Sequence, residues 1–163
     1  MEKNKQIPII NDTIVLRLKS RPTKLPLFKS LIVLSESQAM INSKLPYFDI
    51  FYLNKLNNYK IKIKQLKKLN RKNIGIEIKL RDLRSCNSDD VGKWVKSIKE
   101  INKFCRLNDN QLIISSGAEM NYETISGNTF ESLLSIFEIE PIKYWKELEK
   151  WIDIKSGVYS GAS

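Results

Sequence analysis

Short apolar runs alternate along this chain with longer stretches in which apolar residues recur every three or four positions. The short runs are rich in β-branched and aromatic residues and predict strands. They lie at 13–18, 31–34, 48–53, 73–80 and 112–114. The longer stretches predict helices that begin at Glu36, at about 60 and 89, after Gly127 and after Pro141. Because most strands lack strict two-sided alternation, we expect an α/β fold of mostly parallel strands with outer helices.

The most regular helical pattern covers residues 89–107. Apolar residues recur there with a period of 3.6, and Ser88 precedes them as a candidate N-cap. Asp89 and Asp90 fall in the first turn, where the positive end of a helix favours carboxylates. We therefore predict a helix with one buried face.

The length of 163 residues is typical of one domain. We assign residues 1–155 to it and expect the small, polar residues 156–163 to form a disordered tail. The sequence has no apolar run long enough to cross a bilayer, and its first residues lack the apolar core of a secretion signal. We therefore expect a soluble, cytoplasmic protein with no membrane partner.

Histidine is absent from the sequence. This excludes a Ser-His-Asp or Cys-His nucleophile system, an imidazole general base and a histidine-ligated zinc site. Cys86 and Cys105 are too far apart for a CxxC motif, and two thiols cannot form a four-thiolate metal site. We therefore predict no catalytic residues and no metal ligands in this chain.

The positive charge is concentrated in the first half of the chain. Residues 1–82 hold 18 Lys and Arg against 6 Asp and Glu, whereas residues 83–163 hold 10 against 12. Moreover, no Lys or Arg occurs between Arg106 and Lys143. This separation favours an anionic polymer as a partner. A lysine-rich composition with solvated charges is the alternative.

Within the basic half, the segment 60–72 predicts a helix with one cationic face. The cations that recur at helical spacing are Lys60, Lys64, Lys67, Lys68 and Arg71. Lys72 follows them directly. Ile63, Leu66 and Leu69 fall on the opposite side. Because like charges at these spacings destabilise a helix, a phosphate backbone would relieve their repulsion. A solvated outer face is the other interpretation.

Two segments at predicted strand ends carry further candidate residues, since function in parallel α/β proteins collects at the carboxyl edge. Arg81 and Arg84 follow the fourth strand and offer guanidinium donors for phosphate, unless Arg81 pairs with Asp82 or Glu77. The fifth strand ends in Ser-Ser-Gly, whose small residues would let a backbone or an anion approach closely. These residues are Ser115, Ser116 and Gly117, and an ordinary turn is the alternative.

The order of these predicted strands and helices resembles that of the ribonuclease P protein component 3 family. The similarity spans roughly residues 60–150 and rests on the strand at 75–81, the helix at 89–106 and the run at 112–118. The basic helix, with its segment 65–73, resembles the family as well. Arg81 and the pair Ser115-Ser116 match the family motif and become candidates for structural or RNA-facing roles.

The resemblance implies a TIM-barrel-like fold, here shortened or incomplete. It also implies a non-catalytic subunit of the endonuclease that removes the 5′ leader from precursor tRNA. In that ribonucleoprotein the RNA and its Mg²⁺ are the catalyst, and component 3 pairs with component 2. The expected partners are therefore ribonuclease P RNA, component 2 and other subunits, and precursor tRNA, with no cofactor bound by this chain.

Two other functions remain open from the sequence. One is a small barrel enzyme that binds a phosphorylated metabolite at Arg81, Ser115 and Ser116. The other is a scaffold whose acidic stretch, 107–142, docks a basic partner. The scaffold role is compatible with RNA binding by the first half.

Overall fold

The computed structural model describes residues 31–41, 45, 47–120 and 123–156. Its strands are β1 (Val33–Ser35), β2 (Ile50–Tyr52), β3 (Gly75–Lys79) and β4 (Gln111–Ser115). Its helices are α1 (Glu36–Ile41), α2 (Tyr59–Leu69), α3 (Arg81–Arg84), α4 (Ser88–Leu107), α5 (Gly127–Ile136) and α6 (Pro141–Ser156). The predicted strand at 13–18 lies outside the described residues. Helix α6 reaches Ser156, one residue into the predicted tail, and the rest of that tail also lies outside them.

The strands form one sheet in the order β1-β2-β3-β4, and each pairs in parallel with its neighbour. Ile76 of β3, for example, lies between Phe51 of β2 and Leu112 of β4. Because sheet order follows chain order, right-handed crossovers place α2 and α4 on the same face of the sheet. The prediction of an α/β fold with a parallel sheet flanked by helices is confirmed.

The core forms where the helices cover the sheet. Four consecutive residues of β3, from Gly75 to Ile78, are buried, which is typical of a strand covered on both faces. On α4, the Trp94 ring packs against Phe137, with 6.0 Å between the ring centroids. Each fully buried side chain of this size stabilises the fold by about 1.5–3 kcal/mol.

Helix α4 forms as predicted, but its N-cap differs. Asn87, not Ser88, has the extended cap conformation, and its side chain accepts a hydrogen bond from the Asp90 amide at 3.0 Å. Ser88 is the first helical residue, and Asp89 and Asp90 occupy the first turn as expected. None of the described helices, α4 included, is both long and apolar enough to cross a bilayer.

The C-terminal end of β3 differs from the predicted strand, which included Leu80. The backbone turns helical at Leu80 (φ −62°, ψ −25°), and α3 follows as a single turn. The amides of Leu80 and Arg81 nevertheless donate to the carbonyls of Ser115 and Ser116, at 2.8 and 3.0 Å. Arg81 and Arg84 therefore stay at the carboxyl edge of the sheet, as the sequence predicted.

Helix α6 covers the outer edge of β4. The amide of Ile114 donates to the Tyr144 hydroxyl at 2.9 Å, and the Gln111 side chain donates to the carbonyl of Leu112 at 2.9 Å. Burial raises the pKa of the Tyr144 phenol, so it stays protonated. Backbone groups of β4 are thus satisfied by side chains, and within the described residues the sheet ends at this strand.

Two glycines provide a matched test of this packing. A Cβ at Gly75 would clash with Ile113 Cδ1 and lie 3.1 Å from the Trp151 ring, so we expect Gly75→Ala to cost about 1–3 kcal/mol of unfolding free energy. A Cβ at Gly92 on the exposed side of α4 would meet nothing within 4 Å. Gly92→Ala should therefore stabilise the protein by roughly 0.5–1 kcal/mol. Urea unfolding measures both, and equal effects would contradict the prediction.

Candidate nucleic-acid interface

Helix α2 begins and ends at asparagines. The Asn58 side chain accepts a hydrogen bond from the Ile61 amide at 3.4 Å, and Asn70 adopts the left-handed conformation with φ 46°. Asparagine tolerates this conformation, which ends the helix at Leu69. The predicted continuation of the helix to 72 is therefore wrong, and Arg71 and Lys72 lie beyond it.

The four remaining lysines of the predicted cationic face are all exposed on α2. They are Lys60, Lys64, Lys67 and Lys68. The other side of the helix packs inward through buried Leu66 and the half-buried Ile63 and Leu69. No carboxylate among the described residues lies within ion-pair distance of these four ammonium groups.

Lys62, in the same helix, has a different environment, which was not predicted from the sequence. Its ammonium is buried and lies 2.7 and 2.6 Å from the two carboxylate oxygens of Glu36, which is also buried. The same carboxylate accepts a hydrogen bond from the Asn54 amide at 3.0 Å. A signal was available, because Lys62 stands four residues before Leu66, on the apolar side of α2. Lys62 therefore connects α2 to the start of α1 and does not face solvent.

The two cations after α2 make other contacts. The Arg71 guanidinium lies 5.6 Å from the centroid of the Phe48 ring, within range of a cation–π interaction. The Lys72 ammonium lies 3.5 Å from the Asp109 carboxylate, and both side chains are exposed. Such an exposed pair contributes little to stability, so Lys72 can exchange its partner for phosphate.

Arg81 and Arg84 both pair with acids from the segment after β4. Arg81 contacts the Glu119 carboxylate, and Arg84 lies 3.3 Å from the carboxylate and 3.1 Å from the carbonyl of Glu123. The partners considered from the sequence for Arg81, Asp82 and Glu77, are therefore wrong. The structure joins these arginines to residues 38 and 39 positions away.

The acceptors of these arginines are themselves held in place. The amides of Glu119 and Met120 donate to the Glu123 carboxylate at 2.7 and 3.2 Å. These hydrogen bonds, with the nearby arginines, hold the pKa of Glu123 below its ordinary value. Glu123 thus stays ionised and keeps Arg84 neutralised.

The acidic stretch 107–142 supplies internal partners instead of a free acidic surface. Each of its carboxylates is engaged within the described residues. Asp109 contacts Lys72, Glu119 contacts Arg81, Glu123 contacts Arg84, Glu131 contacts the Trp145 indole, Glu138 contacts Lys99 and Glu140 accepts from the amides of Ile142 and Lys143. This geometry does not favour the acidic scaffold considered from the sequence.

The Ser-Ser-Gly segment braces the carboxyl end of β4. The Ser115 hydroxyl donates to the buried Glu77 carboxylate at 2.8 Å, and the Ser116 hydroxyl accepts from the Ala118 amide at 3.0 Å. Ser115 and Ser116 are only 6% and 2% exposed. Gly117 has a φ of 66°, and a Cβ there would lie 2.9 Å from the Lys79 Cβ. The Ser115 hydroxyl therefore connects β4 to β3, the Ser116 hydroxyl stabilises the turn that follows, and both side chains are buried.

Buried Glu77 makes stability depend on pH. Desolvation raises its pKa above the ordinary 4.5, although the Lys79 ammonium and the Ser115 hydrogen bond favour ionisation. The folded state thus binds the proton more tightly, and the free energy of unfolding falls as the pH rises from about 4.5 through the raised native pKa. Glu77→Gln keeps an acceptor for Ser115 but removes the titration. We expect a higher Tm than the parent at pH 8, with the difference vanishing at acidic pH; a lower Tm at pH 8 would contradict this.

A cavity of about 410 Å³ opens at the carboxyl edge, between the β2–α2 loop, α3 and the start of α4. Its lining includes Tyr52, Asp82, Cys86 and Trp94, but not Arg81 or the two serines. The Tyr52 hydroxyl donates to Asp82 at 2.8 Å, and burial together with this bond raises the pKa of the phenol. Tyr52 therefore stays protonated and cannot act as a base at neutral pH.

No group of three or more Asp, Glu, Cys or His side chains in the described ranges is arranged to hold a metal ion. Burial raises the pKa of the Cys105 thiol, which favours the unreactive protonated form. The chemistry that the described surface offers most clearly is therefore the cationic face of α2.

Comparison of the chain with models of protein families gives no match, and comparison with curated proteins gives none.

Proposed function

We propose that this chain is a non-catalytic, RNA-binding subunit of a ribonuclease P, similar in role to the component 3 family. The observation that carries the proposal is the cationic face of α2, defined as Lys60, Lys64, Lys67 and Lys68. These side chains are exposed and have no carboxylate partner in the described part of the chain. The arginines at the carboxyl edge, in contrast, lie in ion pairs with Glu119 and Glu123.

The energetics of this face favour a polyanion. Lysines three and four residues apart repel one another, which costs a few tenths of a kcal/mol per pair in an isolated helix. A phosphate backbone removes this repulsion and releases its condensed counterions, which supplies binding free energy that depends on salt. Such contacts position an RNA and carry no base specificity.

In this proposal, cleavage of the 5′ leader is performed by the RNA with its Mg²⁺. The chain contributes phosphate contacts and a docking surface for component 2, within a cytoplasmic ribonucleoprotein that also contains other subunits and precursor tRNA. Lys72, with its exposed ion pair, and Arg71, beside α2, extend the same surface. Arg81 and Arg84 reach phosphate only if they leave Glu119 and Glu123.

We also propose that the chain folds as a shortened TIM-barrel-like domain. Successive parallel strands in chain order, with crossover helices on one face, are the arrangement found in such barrels. Helix α6 covers the outer edge of β4, as described above, so the barrel we propose is open at this strand.

The metabolite-binding alternative is less well supported by the geometry. Its three residues are engaged: Arg81 with Glu119, Ser115 with Glu77 and Ser116 with the Ala118 amide. A phosphate at Ser115 would have to displace its buried hydrogen bond to Glu77, and a buried group left unsatisfied costs about 1–3 kcal/mol.

Reconstitution tests the proposed function. Precursor tRNA cleavage by the cognate RNA and component 2 is measured with and without the full chain, across a Mg²⁺ titration. We expect the chain to raise the cleavage rate or to lower the Mg²⁺ concentration required. An unchanged rate at every Mg²⁺ concentration would overturn the proposal.

A further inference from the structure

A second row of cations lies on α4, in the half of the sequence whose net charge is slightly negative. Lys96, Lys99, Lys103 and Arg106 follow one another at intervals of three, four and three residues, which places them on one side of the helix. The opposite side holds the buried core residues of α4. Apart from Lys99, none of the four lies within ion-pair distance of a described carboxylate.

The C-terminal part of this row borders a groove of about 280 Å³ between α4 and the turn after α5. The polar part of its lining consists of Lys99, Lys103, Arg106 and the Asn102 amide. The apolar part consists of Phe137 and Leu107. Three cations and an amide donor around a concave surface are suited to phosphate oxygens. The groove holds one opposing charge, the carboxylate of Glu138.

Helix α4, which carries this row, is a neighbour of α2. The two helices pack against each other on one face of the sheet. The Lys96 ammonium lies 5.9 Å from the centroid of the Tyr59 ring at the start of α2, and the Ser97 hydroxyl of α4 bonds to the Leu56 carbonyl just before it. The two rows of cations are therefore carried by neighbouring helices.

We propose that the cationic face of α2 continues across α4, and that the groove at Lys99, Lys103 and Arg106 binds phosphate groups of the same RNA backbone. This inference rests on the proposed function, because the RNA is its ligand. Glu138 acts as an internal competitor: its carboxylate accepts from Lys99 at 2.6 Å while its side chain is 75% exposed. An RNA phosphate that takes this place restores the pairing of Lys99 and releases Glu138 to water.

This arrangement predicts opposite effects for two kinds of variant. Lys103→Gln with Arg106→Gln should weaken binding of the ribonuclease P RNA transcript by roughly 10-fold at about 0.1 M salt. The slope of log K against log salt should become about 1.4–1.8 shallower, as expected for two lost phosphate contacts. Glu138→Gln should instead tighten binding by about twofold to fivefold, because a repelling charge leaves the groove. A loss of folding cannot produce tighter binding.

The experiment measures binding of the full-length chain to the transcript by filter retention from 50 to 300 mM salt. Lys146→Gln with Lys150→Gln, two exposed lysines on α6, is the control with the same change in net charge. Lys64→Gln with Lys68→Gln reports on α2. Thermal unfolding of each variant verifies that the fold is retained.

The outcomes separate this inference from the proposed function. If the double variant of α4 binds the RNA as well as the α6 control does while the α2 variant binds weakly, phosphate binding in the groove is overturned and the proposed function stands. If the α4 and Glu138 variants behave as expected but the chain has no effect on precursor tRNA cleavage, the surface stands and the ribonuclease P role fails. Displacement of the RNA by polyglutamate at equal charge concentration would overturn RNA as the occupant in favour of an acidic protein.

Discussion

Replacing Lys62 with methionine is expected to lower the free energy of unfolding by about 3–5 kcal/mol. The Lys62 ammonium lies against both oxygens of the Glu36 carboxylate, and the two side chains are only 11% and 9% exposed. Without the ammonium, Glu36 is left as a buried charge, and among the described residues its remaining donor is the Asn54 amide. Urea unfolding followed by circular dichroism measures the loss.

Two further variants make the Lys62 prediction specific. Lys60→Met, two residues away on the exposed side of α2, should change the unfolding free energy by no more than about 0.5 kcal/mol. Glu36→Gln combined with Lys62→Met should recover most of the loss, because glutamine still accepts from Asn54 while both charges are gone. Equal effects of Lys60→Met and Lys62→Met would contradict burial of the pair.

Removing the cationic face of α2 is expected to have the largest effect on RNA binding. Replacing Lys60, Lys64, Lys67 and Lys68 with glutamine removes the four phosphate contacts that we propose, so the slope of log K against log salt should become about 3 units shallower. Affinity for the ribonuclease P RNA should fall by at least about 100-fold near 0.1 M salt. Filter binding across a salt series measures both quantities.

The same quadruple variant should fold at least as well as the parent. The four lysines repel one another and have no described carboxylate partner, so their removal should leave the Tm unchanged or slightly raised. Weak binding with an unchanged Tm would therefore report on the RNA contacts themselves. An unaltered affinity and salt slope would remove the basis for an α2 interface.

Local signals accounted for most of the secondary structure. The period of α4 and the apolar side of α2 were sufficient to predict both helices, because one-sided burial imposes that spacing. The predicted C-terminal end of α2 and the predicted N-cap of α4 were wrong. In both cases a neighbouring asparagine in the sequence indicated the observed end. Asn70 can adopt the left-handed conformation that ends α2, and Asn87 is as good an N-cap as Ser88.

The ion-pair partners of the candidate residues depend on which residues the tertiary structure brings close together. Pairing with Asp82 or Glu77 was the alternative considered for Arg81 from the sequence, yet Arg81 contacts Glu119, 38 positions away. Residues 50–76 hold eight basic residues, Lys62 among them, and no acid, and its partner Glu36 lies outside that segment. No pattern within a single helix or strand encodes which side chain a neighbouring loop brings near.

The sequence by itself determined the α/β class, the parallel pairing and the exposed face of α2, since burial imposes a period that composition makes visible. Only the tertiary structure decided which cations remain available to a ligand. Packing brought the carboxyl edges of β3 and β4 together, so that Glu119 and Glu123 neutralise Arg81 and Arg84. It also set α4 beside α2, so that cations from both halves of the chain lie on neighbouring helices. A charge is a property of one residue, but its availability depends on every group that folding places around it.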